Sequence, residues 1–375
     1  MIYTYQKKLK GTKVGIVFGT FAPLHQGHLD VIMRAKKECD SGCNVIVDGR
    51  AGDRGGEKMP LKLRYRYVRE FFADDDLVAV YPIDETEKNI PAYPNGWLPF
   101  LEVVKDIIRQ GIEEKPTPVF YVSEQAYYDR LTKEGFEAVL MDRTLNPISA
   151  TMIRENPIKY WDKITFPFRR VFSTNILICG TASEGKTTLT KDLGKYFNAP
   201  YSHEYARDYM EQSYVSEWEL DGADYMAFLD GQYQMNKRLI NSPSNQGIFF
   251  ADSDSMTTRM YAEYYCKDQE LDLTEEEFKE IAVAADAITK KCRWDKIYLL
   301  CPHGTFVDDH TRYMEFSGMD ERSELFEILC NNIKASGNWD KVTILNGGYW
   351  ENFKKIVEDV NEVINYGKKK EKITI

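Results

Sequence analysis

The sequence predicts two α/β domains in one chain, each a doubly wound parallel sheet. Short apolar runs suited to buried strands alternate with stretches whose apolar residues recur at helical spacing, the pattern of a parallel sheet covered by helices. The second set of alternations opens on Gly180-Thr181-Ala182-Ser183-Glu184-Gly185-Lys186-Thr187, which fits every fixed position of the G-x-x-x-x-G-K-[ST] phosphate-binding loop and sits between a strand-like and a helix-like run. A chain of 375 residues is also long for one core and comfortable for two. The expected boundaries are 1–165 for the first domain and 172–366 for the second, with a basic tail at 367–375.

In the first domain, residues 14–18 read as a buried strand that runs into Gly19-Thr20-Phe21-Ala22-Pro23-Leu24-His25-Gln26-Gly27-His28, and Leu29, Ile32 and Met33 then mark a helix. Further strands are expected at 44–48, 77–81, 118–122 and 137–141, and helices at 61–73, 97–110 and 123–134. In such a sheet the ligand lies at the carboxyl ends of the strands, where His25 and His28 fall. Residues 48–58, Gly-rich with Arg50, Arg54 and Lys58, form either a solvated loop or a cationic flap over phosphates. Residues 61–69 make a basic amphipathic helix. The Pro/Gly-framed turn at 90–97 delivers Trp97, either to the core or as a face on which a base can stack. Near the end of the domain Ser149, Thr151 and Arg154 either cap a helix or offer two hydroxyls and a cation to phosphate. Residues 157–170, rich in Pro and aromatics, read as a packed linker.

The second domain begins with a strand at 175–179, the phosphate loop, and a helix with Leu189, Leu193, Tyr196 and Phe197 on one face. A weak strand at 200–204, a long helix at about 220–240, strands at 247–252, 296–301 and 341–345, and a helix at about 349–365 follow. The acidic run 270–280 suits a solvated helical face. Gly180 and Gly185 let successive backbone N–H groups point at phosphate oxygens, Lys186 places a cation on the β/γ-phosphates, and Thr187 offers a hydroxyl to Mg²⁺. Glu204 and Arg207 follow the second strand, where a carboxylate can take a proton from a sugar hydroxyl and an arginine can steady a phosphate. Asp252 ends the third strand, suited to Mg²⁺ or to capping a helix. Asp309 and Arg312, with Arg322 beyond, follow the fourth, where small kinases carry a closing lid.

Composition narrows the function class. The chain is 43% hydrophobic and 29% charged, an ordinary globular balance, with no apolar run of membrane-spanning length and no signal-peptide core at its start. Cytoplasmic localisation without membrane insertion is expected. Seven scattered cysteines argue against a disulfide framework, and no Cys/His pairing has zinc spacing. A net charge of -10 opposes non-specific binding to nucleic acid. The sequence leaves homo-oligomer formation open.

The pattern Gly19-x-Phe21-x-Pro23-x-His25-x-Gly27-His28, followed by Ile148-Ser149-x-Thr151-x-Ile153-Arg154, resembles the two motifs of the nucleotidyltransferase superfamily, in order. The resemblance implies a Rossmann-like nucleotidyltransferase: His25 and His28 neutralise charge on the α-phosphate and departing pyrophosphate, Gly19, Thr20 and Phe21 contact ATP, and Ser149, Thr151 and Arg154 hold its β/γ end. Catalysis is then positioning plus electrostatics.

Such a domain followed by a P-loop kinase, together with Pro91-x-Tyr93-Pro94-x-Gly96-Trp97, Ile153-Arg154-Glu155-Asn156-Pro157, Glu204-Tyr205-x-Arg207-Asp208-Tyr209 and Asp309-x-x-Arg312, resembles the bifunctional nicotinamide-nucleotide adenylyltransferase/ribosylnicotinamide kinase (NadR) family. The resemblance runs from about residue 11 to 365. It implies that nicotinamide riboside plus ATP gives nicotinamide mononucleotide, and that the mononucleotide plus ATP gives NAD and pyrophosphate. Trp97 would stack on the pyridinium ring; Arg207 and Asp309 would bind the riboside; Ser183 and Thr188 would join Gly180, Gly185, Lys186 and Thr187 on ATP; Thr187 and Asp252 would hold Mg²⁺; Glu204 is favoured over Asp252 as the base. Some relatives carry a helix-turn-helix before the first motif, for which the dozen residues here are too few, so DNA binding is not expected. A fused pantetheine-phosphate adenylyltransferase/dephospho-coenzyme A kinase shares the domain order but does not explain Trp97 or residues 204–209. A non-catalytic pyridine-nucleotide sensor would not need two complete catalytic sets.

Overall fold

The structure is a computed structural model describing residues 7–112, 114–142, 146–267, 273–303 and 318–369. The chain divides into two compact units between Phe172 and Ser173.

In the first unit, strands β1 (Lys13–Gly19), β2 (Cys43–Gly49), β3 (Val78–Asp84), β4 (Thr117–Val122) and β5 (Glu137–Leu140) form one parallel sheet in the order β3-β2-β1-β4-β5. Its helices are α1 (Gln26–Glu38), α2 (Leu61–Phe71), α3 (Trp97–Gly111), α4 (Gln125–Lys133), α5 (Ala150–Glu155) and α6 (Phe166–Phe172). The inner strands are near-continuous apolar runs because both faces are covered: Val17, Val45 and Val47 face one core with Ile32 and Ala35 of α1, whereas Ile16, Ile46 and Phe120 face a second with Val104 and Ile108 of α3. The order reverses at β1, so the crevice between the carboxyl ends of β1 and β4 is the binding position of the fold. The linker is packed, with Trp161 and Phe168 buried and Phe168 meeting the Tyr67 ring edge-on at 5.4 Å. Helix α6, which falls between the expected domains except for its last residue, Phe172, thus docks on α2.

In the second unit, β6 (Thr174–Gly180), β7 (Tyr201–Ser202), β8 (Ile248–Asp252), β9 (Lys296–Leu300) and β10 (Val342–Leu345) form a parallel sheet in the order β10-β9-β6-β8-β7. Helices α7 (Lys186–Phe197), α8 (Tyr205–Ser213), α9 (Gly222–Ile240), α10 (Ser255–Cys266), α11 (Glu275–Thr289), α12 (Met319–Ala335) and α13 (Tyr349–Lys369) accompany it. Placing β6 between β8 and β9 brings the phosphate loop beside the end of β8. Tyr196 departs from its expected buried face: it is 58% exposed and meets Phe353 of α13 edge-on at 5.6 Å, while Leu189 and Leu193 are buried. The described part of the acidic run is the first turn of α11, capped by the Thr274 hydroxyl and Glu277. Among the described residues no helix is long and apolar enough to cross a membrane.

Candidate functional site

In the first unit, β1 ends in the Gly19–Phe21 turn and α1 begins immediately after His25. The His25 and His28 rings stack at 3.7 Å with 24° between planes, and the Phe21 ring meets His28 edge-on at 4.9 Å. His25 is only 4% exposed, and its carbonyl accepts the N–H groups of His28 and Leu29, so it also fixes the start of the helix. Ser149 caps α5 by accepting from Met152 N at 3.2 Å. From α5, Arg154 Nη1 donates to the Ala22 carbonyl at 2.5 Å and Nη2 to Thr151 Oγ1 at 3.0 Å. Ser149, Thr151 and Arg154 are thereby brought to the Gly19–His28 turn.

The 48–58 segment is a largely exposed loop tied down by two ion pairs. Arg50 pairs with Glu85 and Asp53 with Arg64, while Arg54 stays exposed. The Arg154 guanidinium is pushed down by burial and by the Arg54 charge. Glu155 opposes both, and the two neighbouring cations suit an anion.

The basic amphipathic helix expected at 61–69 forms as α2, and Arg64 lies on its buried side. It is 1% exposed and donates to the carbonyls of Met59, Thr20 and Asp48 as well as to Asp53. A basic period on a helix does not reveal a guanidinium turned inward to join three chain segments.

Asp48 was also not singled out. At the end of β2 its carboxyl is pushed up to about 7 by burial and by Glu85, opposed by Arg64 and the Thr20 hydroxyl. A folded-state pKa above the ordinary value means the folded chain loses stability as pH rises from about 4 through about 7. Asp48→Asn should therefore raise the thermal-unfolding midpoint relative to wild type at pH 8 and leave it nearly equal at pH 4. A difference independent of pH would refute this.

Trp97, the first residue of α3, is not an open stacking face. It is 4% exposed, parallel to Tyr127 (5.6 Å, 10°) and nearly so to Phe100 (6.3 Å, 22°). The apolar period of α3 draws it inward with Phe100, Leu101 and Val104. Tyr93, edge-on to both Trp97 and Tyr127, is the exposed ring of this cluster.

In the second unit the phosphate loop has the backbone its chemistry requires. Gly180 has φ +150°, and a Cβ there would lie 2.8 Å from the Leu300 carbonyl; Gly185 has φ +78° at the start of α7; Ser183, at φ +60°, holds a left-handed conformation without being glycine. Lys186 is buried and donates from Nζ to the Thr181 carbonyl at 2.7 Å, and Thr188 is exposed in the same first turn of α7. Thr187 Oγ1 donates to Asp252 Oδ2 at 2.5 Å. Asp252 is fully buried; burial raises its carboxyl, Lys186 opposes that, and Glu204 adds to it. Arg207 Nε donates to Glu204 Oε2 at 3.2 Å. Glu204, Arg207, Asp252, Lys186 and Thr187 thus gather at one place.

Two further findings concern the loop's surroundings. Glu184 is buried, pairs with Arg322 Nη1 at 2.9 Å and accepts from His303 N at 3.1 Å. Arg322, expected near a closing lid, is therefore a buried partner of the phosphate loop, reached because α12 starts beside it. Asp309 and Arg312 lie outside the described residues. Beside Glu204 and Arg207 opens a cleft of about 590 Å³, mouth included, whose farther lining includes Tyr225, Phe228, Tyr261 and Tyr265.

Residues 16–159 match the cytidylyltransferase-like family model, and residues 175–352 match an AAA domain model. The trifunctional NAD biosynthesis/regulator proteins NadR of Salmonella typhimurium and Escherichia coli are each 28% identical, over 94% of this chain and 83% of their own length. A NadR crystal structure in complex with NR superposes with a TM-score of 0.82 at 36% identity, covering 95% of this chain and 97% of that one. A second, with NAD and AMP-PNP, gives 0.81 at 37% identity, covering 96% and 98%.

Proposed function

Because the chain belongs to the NadR family, we infer that it makes NAD in two ATP-dependent steps, phosphorylating nicotinamide riboside to the mononucleotide and adenylylating the mononucleotide with release of pyrophosphate. The observation that carries this reading is the presence, in one chain, of both constellations: His25, His28 and Arg154 around the Gly19–Phe21 turn, and Lys186, Glu204 and Asp252 around the phosphate loop beside an aromatic cleft. We assign adenylyl transfer to residues 1–165 and the kinase to 172–366.

In the kinase, ATP phosphates lie on the loop from Gly180 to Thr188, with Lys186 turning from the Thr181 carbonyl to the β/γ-phosphates. The riboside enters the cleft with its 5'-hydroxyl at Glu204, which Arg207 orients; Glu204 accepts the hydroxyl proton as the hydroxyl oxygen bonds the γ-phosphorus, the bond to the β,γ-bridging oxygen breaks, and ADP leaves. A hydroxyl and a buried carboxylate in mutual contact form an all-oxygen pair that suits Mg²⁺, so Thr187 and Asp252 would hold it. When bound, Mg²⁺ neutralises phosphate charge. Asp309 and Arg312 complete the proposed substrate and lid contacts.

In the adenylyltransferase, His28 and His25 face the α-phosphate, and Arg154, Ser149 and Thr151 with Arg54 hold the β/γ end. The mononucleotide phosphate oxygen attacks in line and pyrophosphate leaves, with charge developing where these cations point. The pyridinium ring stacks on Trp97 once Tyr127, which now lies parallel to it, yields its place. Two reactions that consume ATP suit the cytoplasm.

The test is direct: purified chain supplied with nicotinamide riboside, ATP and Mg²⁺ should release ADP and then pyrophosphate, with NAD accumulating. A chain that turns over pantetheine phosphate and not the riboside, or that binds the riboside without consuming ATP, would exclude this function.

A further inference from the structure

We propose that Glu217 is the specificity-determining residue of the kinase cleft, a counter-charge that selects a nucleoside whose ring is a cation over a neutral ring of the same shape. The proposal rests on the kinase reading above and adds to it how the ring, rather than the hydroxyl, is recognised.

The cleft has two chemically different ends. Glu204 and Arg207, mutually bonded, lie near Ser253, directly after the magnesium-site candidate Asp252. The other end is reached along α10, which begins at Ser255: with a rise of 1.5 Å per residue, Tyr261 stands about 9 Å and Tyr265 about 15 Å from that start. A nucleoside with its 5'-hydroxyl at Glu204 therefore carries its ring to the level of Tyr261. There the lining is Tyr225, Phe228, Tyr261 and Tyr265, and among the described residues the one charged side chain this end adds to the cleft is Glu217.

Glu217 is held rather than loose. Its Oε1 accepts from Tyr265 Oη at 2.8 Å, and the Ser216 capping box fixes the short turn Glu217–Glu219 that carries it. The Tyr225 and Tyr265 phenols are both pushed well up, chiefly by burial and next by the Glu217 charge, so they stay neutral and present aromatic faces. Aromatic faces carry negative potential, and a half-buried carboxylate adds a full negative charge where water is partly excluded. Such a surface attracts a pyridinium ring strongly and an uncharged ring only by contact area. A neutral nucleoside leaves the Glu217 carboxylate partly desolvated with no gain, and selectivity is that difference.

The experiment compares phosphorylation of nicotinamide riboside with that of its dihydro form, which has nearly the same shape and no ring charge, by wild type, Glu217→Gln and Glu217→Asp in the full-length chain. Glutamine keeps an oxygen acceptor for Tyr265 and removes only the charge; aspartate restores it. We expect Glu217→Gln to raise KM for the cationic riboside about tenfold with kcat within about twofold, leave KM for the dihydro riboside nearly unchanged, and lose most of the preference that Glu217→Asp retains. An equal rise in KM for both ribosides, no change for either, or a loss confined to kcat overturns the assignment. Wild type that uses both ribosides with equal KM overturns the selectivity alone, whereas wild type that phosphorylates neither overturns the functional reading and this inference with it.

Discussion

Lys186→Ala should abolish measurable phosphorylation of nicotinamide riboside, a fall in kcat of at least about 10²- to 10³-fold, the usual cost of deleting one donor aimed at developing transition-state charge. Lys186 is buried, and among the described residues its ammonium hydrogen-bonds the Thr181 carbonyl of its own loop, so it is poised to transfer to phosphate. Its charge also opposes the upward push that burial and Glu204 place on Asp252. The variant should therefore carry a second defect: an Asp252 carboxyl harder to ionise, and a higher Mg²⁺ requirement for whatever turnover remains. Adenylylation of supplied mononucleotide should persist near the wild-type rate, because the His25/His28 constellation belongs to the other unit with its own core. Initial rates of ADP and NAD formation, each with its own substrate, read both effects. An NAD-forming rate that collapsed together with the kinase would show that the two nucleotide sites had been wrongly divided.

What the sequence disclosed and what it hid follow a physical division. Features fixed by local order were legible: the strand runs, the glycines whose positive φ the loop needs, and the histidines one helical turn apart that stack at 3.7 Å. Features made by long-range closure were not. Arg64 looks like its solvated neighbours on a basic helix, and only the fold shows that it bonds Thr20, Asp48 and Asp53 at once. Glu184 occupies a position where the phosphate-loop pattern allows any residue, and its pairing with Arg322 spans more than a hundred residues of chain. Trp97 shows the limit of reading a loop as exposed: the turn before it was correctly placed, but the helix it begins has an apolar face, and that face decides where the ring goes. Glu217 lies in a stretch with no motif, and its carboxylate gains meaning only beside Tyr225 and Tyr265 from two other helices.

The other large effect concerns His28. Its replacement by alanine should lower NAD formation from mononucleotide and ATP by about 10²- to 10³-fold in kcat, with a smaller rise in KM for ATP, since the interaction lost is one that strengthens as charge builds on the α-phosphate and pyrophosphate. His28 is a cleaner probe than His25. His25 is buried against His28 at the N-cap of α1, so its truncation opens a cavity beneath the His28 ring and disturbs both imidazoles at once. His28 is half-buried, stacked on His25 on one side and met edge-on by Phe21, and its truncation removes a ring without removing a backbone bond. Arg154 should keep its hold on Ala22 and Thr151, so ATP still docks through its β/γ end and the loss falls mainly on kcat. Riboside phosphorylation in the same preparation reports whether the rest of the chain is intact. A variant that lost both activities equally, or one whose defect was confined to KM with kcat untouched, would remove His28 from the transition state and leave it only a packing role beneath Phe21.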